Sequence, residues 1–147
     1  MINKINTLLV MPLIAAGVLV AASFAWAHTP PEHAKVFFVN LEDGAVVTNP
    51  VKVEFGIKGF GITPAGTKGK QRHSAGHHHL LIDLEKLPDL DEPIPSDTQH
   101  VHYDQGETSA VLDLPSGRHT LQLLLGDEDH EPQDPPLISE KITITVN

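Results

Sequence analysis

The chain contains no cysteine, and its only two methionines and single tryptophan all lie before residue 28. From residue 28 onward there is therefore no sulfur atom, which excludes disulfides, thiolate chemistry and sulfur ligands to a metal. Basic residues are also scarce, with 10 lysines and arginines against 19 acidic residues and a formal charge of −9. So acidic a chain is not expected to bind nucleic acid, which favours basic surfaces.

Several enzyme signatures are missing as well. The sequence has no His-Glu-x-x-His motif, no phosphate-binding loop and no defensible Ser-His-Asp order. The sequence therefore predicts no particular reaction. A metal-dependent enzyme stays open, because a catalytic zinc needs only three protein ligands and one open position.

The first 27 residues are predicted to be a signal peptide. Lys4 is followed by an apolar run over residues 8–24, and Ala25-Trp26-Ala27 fits the small-x-small pattern at which signal peptidase cleaves. An uncleaved membrane anchor is the alternative, since the run approaches the length of a short span. Cleavage would remove 27 of the 147 residues and leave one acidic domain, residues 28–147, in the periplasm or outside the cell.

The remainder reads as short strands separated by turn signals. Residues 51–57 alternate apolar and polar side chains, and residues 141–146 do the same, which is typical of strands with one buried face. No segment shows a convincing 3.6-residue period. The predicted strands cover residues 34–39, 51–57, 78–84, 99–103, 108–114, 118–125 and 141–146. About seven antiparallel strands predict an all-β, immunoglobulin-like sandwich, without the paired cysteines and core tryptophan of antibody domains.

Histidines are concentrated around the third predicted strand. Alternation places His78 on the core face with Leu80 and Ile82, and it places His77 and His79 on the opposite face. Antiparallel pairing of the third and sixth strands, as in immunoglobulin-like order, brings that pair close to the acidic loop after residue 125. The candidate metal ligands are His77, His79, His100, His102, Asp127, His130 and His28.

Imidazole and carboxylate ligands without sulfur favour Cu(II), Zn or Ni over Cu(I). The sequence thus predicts a copper or zinc ion as ligand, and a role in metal buffering, delivery or sensing, with a periplasmic protein as the expected partner. The competing interpretation is a polar sheet face with solvated histidines. In that case Leu81 and Leu124, predicted to face outward, would suit the partner of a metal-free binding module whose histidines titrate near neutral pH.

Three long connections separate the strands. The loop over residues 59–76 carries Lys68, Lys70 and Arg72, the loop over residues 87–98 has three prolines among acids, and residues 126–138 contain three more. Loops this long are often functional in compact domains. The role of the basic loop is left open.

Several motifs carry a resemblance to a known family. They are Gly-His-His-His-Leu-Leu-Ile-Asp at residues 76–83, the proline-rich stretch at 87–97, residues 115–127, residues 130–136 and the terminal strand. The chain resembles a family of small exported bacterial domains of unknown function. The resemblance implies an exported β-sandwich and supplies no activity. Family members often have a glycine-rich stretch after the pair that corresponds to His100 and His102, where this chain has Tyr103-Asp104-Gln105-Gly106.

The start of the predicted mature chain carries a weaker resemblance. Residues 34–55, with a turn at Asp43-Gly44 and Pro50 before a strand, are similar to the start of periplasmic copper-resistance protein C domains. That resemblance implies Cu(II) bound by an amino-terminal histidine, which would be His28 after cleavage. It also leaves open a copper-dependent enzyme that uses His28. Thr29-Pro30-Pro31 follows and favours an extended tail.

Cleavage of the leader is directly testable. Intact-mass analysis of the exported protein should give a chain that begins at His28, because Ala25-Trp26-Ala27 presents small residues at both recognised positions. A mass that retains residues 1–27 would contradict the prediction and favour the membrane anchor.

Overall fold

The structure is a computed structural model that describes residues 29–147, apart from the side chains of residues 71 and 72. The predicted signal peptide and His28 lie outside the described residues. From Thr29 to the end of the chain, no helix is long and apolar enough to cross a bilayer.

Nine strands and one short 3-10 helix make up this part of the chain, and the predicted all-β class is confirmed. The strands are β1 (Lys35–Phe38), β2 (Val46–Val47), β3 (Val51–Lys58), β4 (Gly61–Ile62), β5 (Ala75–Ile82), β6 (His100–His102), β7 (Ser109–Leu112), β8 (Gly117–Gly126) and β9 (Ile142–Val146), with the helix at Lys70–His73. Each predicted strand corresponds to one of these, although β5 begins three residues earlier than predicted. The two-residue strands β2 and β4 were not predicted.

The strands form two sheets. The smaller has the order β1-β3-β7, and the larger has the order β2-β9-β8-β5-β4, with β6 also paired to β5. Most pairs are antiparallel, and only the two-residue strands pair in parallel. β5 and β8 are antiparallel neighbours in register from His77 opposite Gly126 to Ile82 opposite Leu121, as the immunoglobulin-like order predicted.

The main core lies between the two sheets. In β3, Val51, Val53 and Phe55 point inward while the intervening Lys52 and Glu54 are exposed. This alternation follows from the two-residue period of a strand. The large sheet contributes the facing side chains from three strands. These are Leu80 and Ile82 of β5, Leu121 and Leu123 of β8, and Ile142, Ile144 and Val146 of β9.

The other face of the large sheet is covered as well, and every residue of β5 is buried. Ile94, in the loop over residues 87–98, packs onto Leu81 and Leu124 in a second apolar cluster. The expectation that Leu81 and Leu124 face outward toward a partner is therefore wrong. The proline-rich loop supplies a third layer, which alternation within the strands does not reveal.

A polar clasp joins the end of β5 to β8. Asp83 follows β5 with a φ of 55°, and its Oδ1 accepts the Thr120 N–H at 2.8 Å. Asp83 Oδ2 lies 2.7 Å from His119 Nδ1, and His119 Nε2 lies 2.8 Å from the carbonyl oxygen of Pro115. Only a protonated ring can donate both bonds. The hydrogen bond to Asp83 accordingly raises the pKa of His119 above its usual value.

This clasp gives the fold a defined pH dependence. A folded pKa raised above the unfolded value means that the stabilisation is fully present below about pH 6.5 and is lost as pH rises through the raised pKa. His119→Gln should therefore cost more stability, by roughly 1 kcal/mol, at about pH 6 than at about pH 9. Urea denaturation of both proteins at the two pH values measures this difference. An equal loss at both would show that the ring acts by packing alone.

Candidate metal centre

The loop-covered face of β5 carries two of the candidate histidines. His77 and His79 share this face, and both are fully buried. His77 lies opposite Gly126 at the end of β8, and His79 lies opposite His102 of β6 on its other side. The interpretation of this face as a surface of solvated histidines is therefore wrong. His77 and His79 point away from the main core into a buried layer.

Four imidazole rings gather in this layer. Ring centroids are separated by 4.6 Å for His77 and His79, and by 4.3 Å for His79 and His102. His130, from the loop after β8, lies 4.8 Å from the rings of both His77 and His102. Histidines from three segments that are distant in sequence thus meet at one point.

A carboxylate that was not among the predicted ligands lies beside three of these rings. Asp104 Oδ1 is 3.7 Å from His77 Nε2, 3.7 Å from His102 Nδ1 and 3.6 Å from His130 Nε2. Asp104 sits in a turn closed by the Gly106 N–H, which donates to the Tyr103 carbonyl oxygen at 3.2 Å. One signal in the sequence could have found it. His100, His102 and Asp104 are each two residues apart, so the alternation of β6 continues to Asp104.

The potential ligand atoms form two overlapping groups. One contains His77, His79 and His130, the other contains His102, Asp104 and His130, and within each the ligand atoms lie within 4.8 Å of one another. Metal–nitrogen bonds of 2.0–2.1 Å imply ligand separations of about 3.3 Å around a tetrahedral ion. The distances from Asp104 Oδ1 to the three rings are close to that value.

Several of the buried polar atoms in this group have no hydrogen-bond partner among the described residues. Within the described part of the chain, neither ring nitrogen of His77 or His79 has a hydrogen-bond partner, and Asp104 Oδ1 has none. A buried polar atom without a partner costs about 1–3 kcal/mol. His102 differs, because its Nε2 lies 2.7 Å from the Pro95 carbonyl oxygen. Since a carbonyl oxygen can only accept, Nε2 donates this bond. In a neutral ring Nδ1 then keeps its lone pair on the side of Asp104, in the arrangement by which a supporting bond orients a metal-binding histidine.

Burial keeps the inner rings neutral. Desolvation, followed by the Coulomb interaction with the neighbouring His130, lowers the pKa of His77 to about 4. Desolvation and the neighbouring histidines lower the pKa of His79 to about 2. Both rings are therefore unprotonated at neutral pH, which is the form that binds a metal.

Backbone geometry fixes the position of His130. Its φ is 69°, a left-handed conformation that is uncommon outside glycine. Asp127 Oδ1 accepts the N–H groups of Asp129 and Glu131 at 2.9 and 3.0 Å, which shapes the loop around His130. Gly126 allows the close approach of His79, because a Cβ at Gly126 would lie 2.5 Å from His79 Cε1. Asp127 itself belongs to neither ligand group of the described residues.

Two further histidines lie apart from the centre. His100 Nδ1 is 2.8 Å from Asp97 Oδ1, and among residues 29–147 His100 is in neither ligand group. His78 faces the main core, with its ring centroid 5.2 Å from that of Phe55. Its ring nitrogens have no hydrogen-bond partner in the described structure. His28, the remaining candidate, lies outside the described residues.

An open pocket leads from solvent to the centre. It has a volume of about 490 Å³. Its lining residues are Pro93, Ile94, Ser96, His102, Asp104, Glu128, Asp129 and His130. His77 and His79 are not part of this lining and lie deeper, so the pocket reaches one ligand group before the other.

Fold and site together define a β-sandwich domain with a cluster of histidines and one aspartate at one sheet end. The chain belongs to the family described as Domain of unknown function (DUF4399), whose model matches residues 53–147. The match begins within β3 and includes all the histidines of the centre. Searches of curated proteins and of solved structures gave no match.

Buried neutral histidines make the metal-free protein sensitive to acid. Because the pKa of His78 is lowered to about 4 by burial, the unfolded chain binds a proton near pH 6.5 that the folded chain does not. The free energy of unfolding should be highest above pH 6.5 and should fall as pH decreases from 6.5 to about 4. His78→Leu should reduce the slope of the unfolding free energy against pH by up to about 1.4 kcal/mol per pH unit.

Urea denaturation at several pH values, with a chelator present to exclude metal effects, measures this slope. A slope for His78→Leu equal to that of the parent would show that His78 is protonated in the folded state.

Proposed function

We propose that this protein is an exported, periplasmic domain that binds one divalent transition-metal ion through histidine. His77, His79, His102, His130 and Asp104 are the proposed ligands. The observation that carries the proposal is the convergence of three imidazole nitrogens on Asp104 Oδ1 at 3.6–3.7 Å. A cation at this point would pair with buried polar atoms that are otherwise costly to the fold.

The donor atoms favour particular metals. Imidazole nitrogen suits Zn, Cu(II) and Ni(II), whereas Mg²⁺ and Ca²⁺ require mostly oxygen ligands. Cu(I) prefers thiolate and thioether ligands, and no sulfur atom occurs after residue 27. Copper(II) or zinc is therefore the proposed ion, with four histidines and one carboxylate in reach.

The setting favours a role in buffering, delivering or sensing the metal. Structural zinc sites are closed by four protein ligands, whereas the open pocket here leaves His102, Asp104 and His130 accessible from solvent. An accessible site permits the ion to be exchanged with a partner or with solvent. Delivery to a periplasmic protein is one form of this proposal, and a copper-dependent enzyme that uses His28 stays a prediction.

The metal-free binding module receives less support. That interpretation needed solvated histidines beside an exposed apolar patch at Leu81 and Leu124. His77 and His79 are fully buried, and Leu81 and Leu124 are covered by Ile94. The patch on which a partner was expected to dock is therefore filled by a loop of the same chain.

Metal binding can be tested at His130, which belongs to both ligand groups. Asparagine tolerates the left-handed backbone of this position but cannot place an imidazole nitrogen. His130→Asn should weaken Zn²⁺ or Cu²⁺ binding at least about a hundredfold, a loss of roughly 2.7 kcal/mol. In the parent, a hundredfold excess of ion over Kd should stabilise the fold by about 2.7 kcal/mol. Titration calorimetry and thermal melts measure both quantities.

His73→Asn is the matched control, because His73 is exposed and belongs to neither ligand group among the described residues. It should bind as the parent does. Metal analysis of protein purified from the periplasm without a histidine tag tests whether the ion is acquired in the cell. If the parent and both variants bind no ion at micromolar concentration, the proposal is wrong.

A further inference from the structure

We infer that the centre has two ion positions used in sequence, an outer one at His102, Asp104 and His130 and an inner one at His77, His79 and His130. This inference rests on the proposed metal-binding function and concerns how the ion is taken up. The two positions are the two ligand groups, which share His130.

Burial orders the two positions along a path from solvent. All three outer residues are partly exposed and line the open pocket. His77 and His79 are fully buried beneath them. A hydrated ion that enters the pocket therefore meets His102, Asp104 and His130 before it can reach the inner rings.

The distribution of charge also favours binding at the outer position first. Asp104, Glu128 and Asp129 line the pocket and place negative charge at its mouth, which raises the local concentration of cations and their rate of association. The inner position offers three imidazoles and no carboxylate of its own. The outer position is thus suited to capture, and the inner position is suited to retention by nitrogen ligands.

His130 and Asp104 connect the two positions. Asp104 Oδ1 is 3.7 Å from His77 Nε2 of the inner group and 3.6 Å from the shared His130 Nε2. An ion can therefore gain His77 before it releases Asp104 or His102. Stepwise ligand exchange keeps the ion coordinated throughout, so that no bare cation crosses the buried layer at the high cost of an unpaired charge.

Rapid mixing of the purified protein with Co²⁺ alone tests this order, because the visible absorption of Co²⁺ depends on its coordination geometry. The parent should show two phases. The first should accelerate in proportion to Co²⁺ concentration, as ion capture does, and the second should be independent of concentration, as transfer between positions within one molecule is.

Two variants separate the positions. Asp104→Asn should slow the first phase at least about tenfold and should still show a second phase. His79→Asn should retain the first phase and abolish the second, with equilibrium binding weakened. Asp113→Asn removes the same charge from an exposed residue outside both groups, and it should match the parent in both phases. Metal-free thermal melts of each variant confirm that it is folded.

The outcomes separate the inference from the function on which it rests. If the folded parent binds no Co²⁺, Zn²⁺ or Cu²⁺, the proposed function fails and this inference fails with it. If the parent binds in a single concentration-dependent phase, and Asp104→Asn and His79→Asn alter that phase alike, the protein has one undivided site. The function then stands and the two-position path is overturned.

Discussion

The arrangement of this domain depends on one constraint, which is that β5 is buried on both faces while three of its eight residues are histidines. An imidazole in an apolar layer is costly unless it is neutral and its nitrogens are paired. The face toward the small sheet is filled mainly by hydrocarbon. The opposite face needs the loops over residues 87–98 and 126–138 as a cover, and these loops also bring His130 to the rings.

Local alternation was sufficient to predict the sandwich and part of the centre. The patterns of β3 and β9 each determine one buried face, and the pairing of β5 with β8 follows from sandwich topology. Together they place His77 and His79 near the loop that contains His130. Alternation gives the direction of a side chain, but it cannot say whether solvent or another layer lies there, which is why the burial of both histidines was not predicted.

The remaining features depend on the paths of loops. Asp104 reaches the centre from the turn immediately after β6, one residue beyond the end of the predicted strand over residues 99–103. The proline-rich loop is held by contacts across long separations, including the Ile94 N–H that donates to the His130 carbonyl oxygen at 2.9 Å. Asp127 looked like a ligand because it is acidic and close in sequence to His130. Its carboxylate accepts two backbone N–H groups of the loop, a role that sequence spacing does not distinguish from coordination.

Gly126 shows that the information for such a centre is not confined to groups that can bind an ion. Its missing side chain is the space that the His79 ring occupies, and a methyl group there would lie 2.5 Å from His79 Cε1 and 3.1 Å from His79 Nδ1. A survey of tolerated substitutions across this domain should therefore find one of its least replaceable positions at a residue that has no side chain to bind an ion. A search of related chains for histidines alone would overlook it.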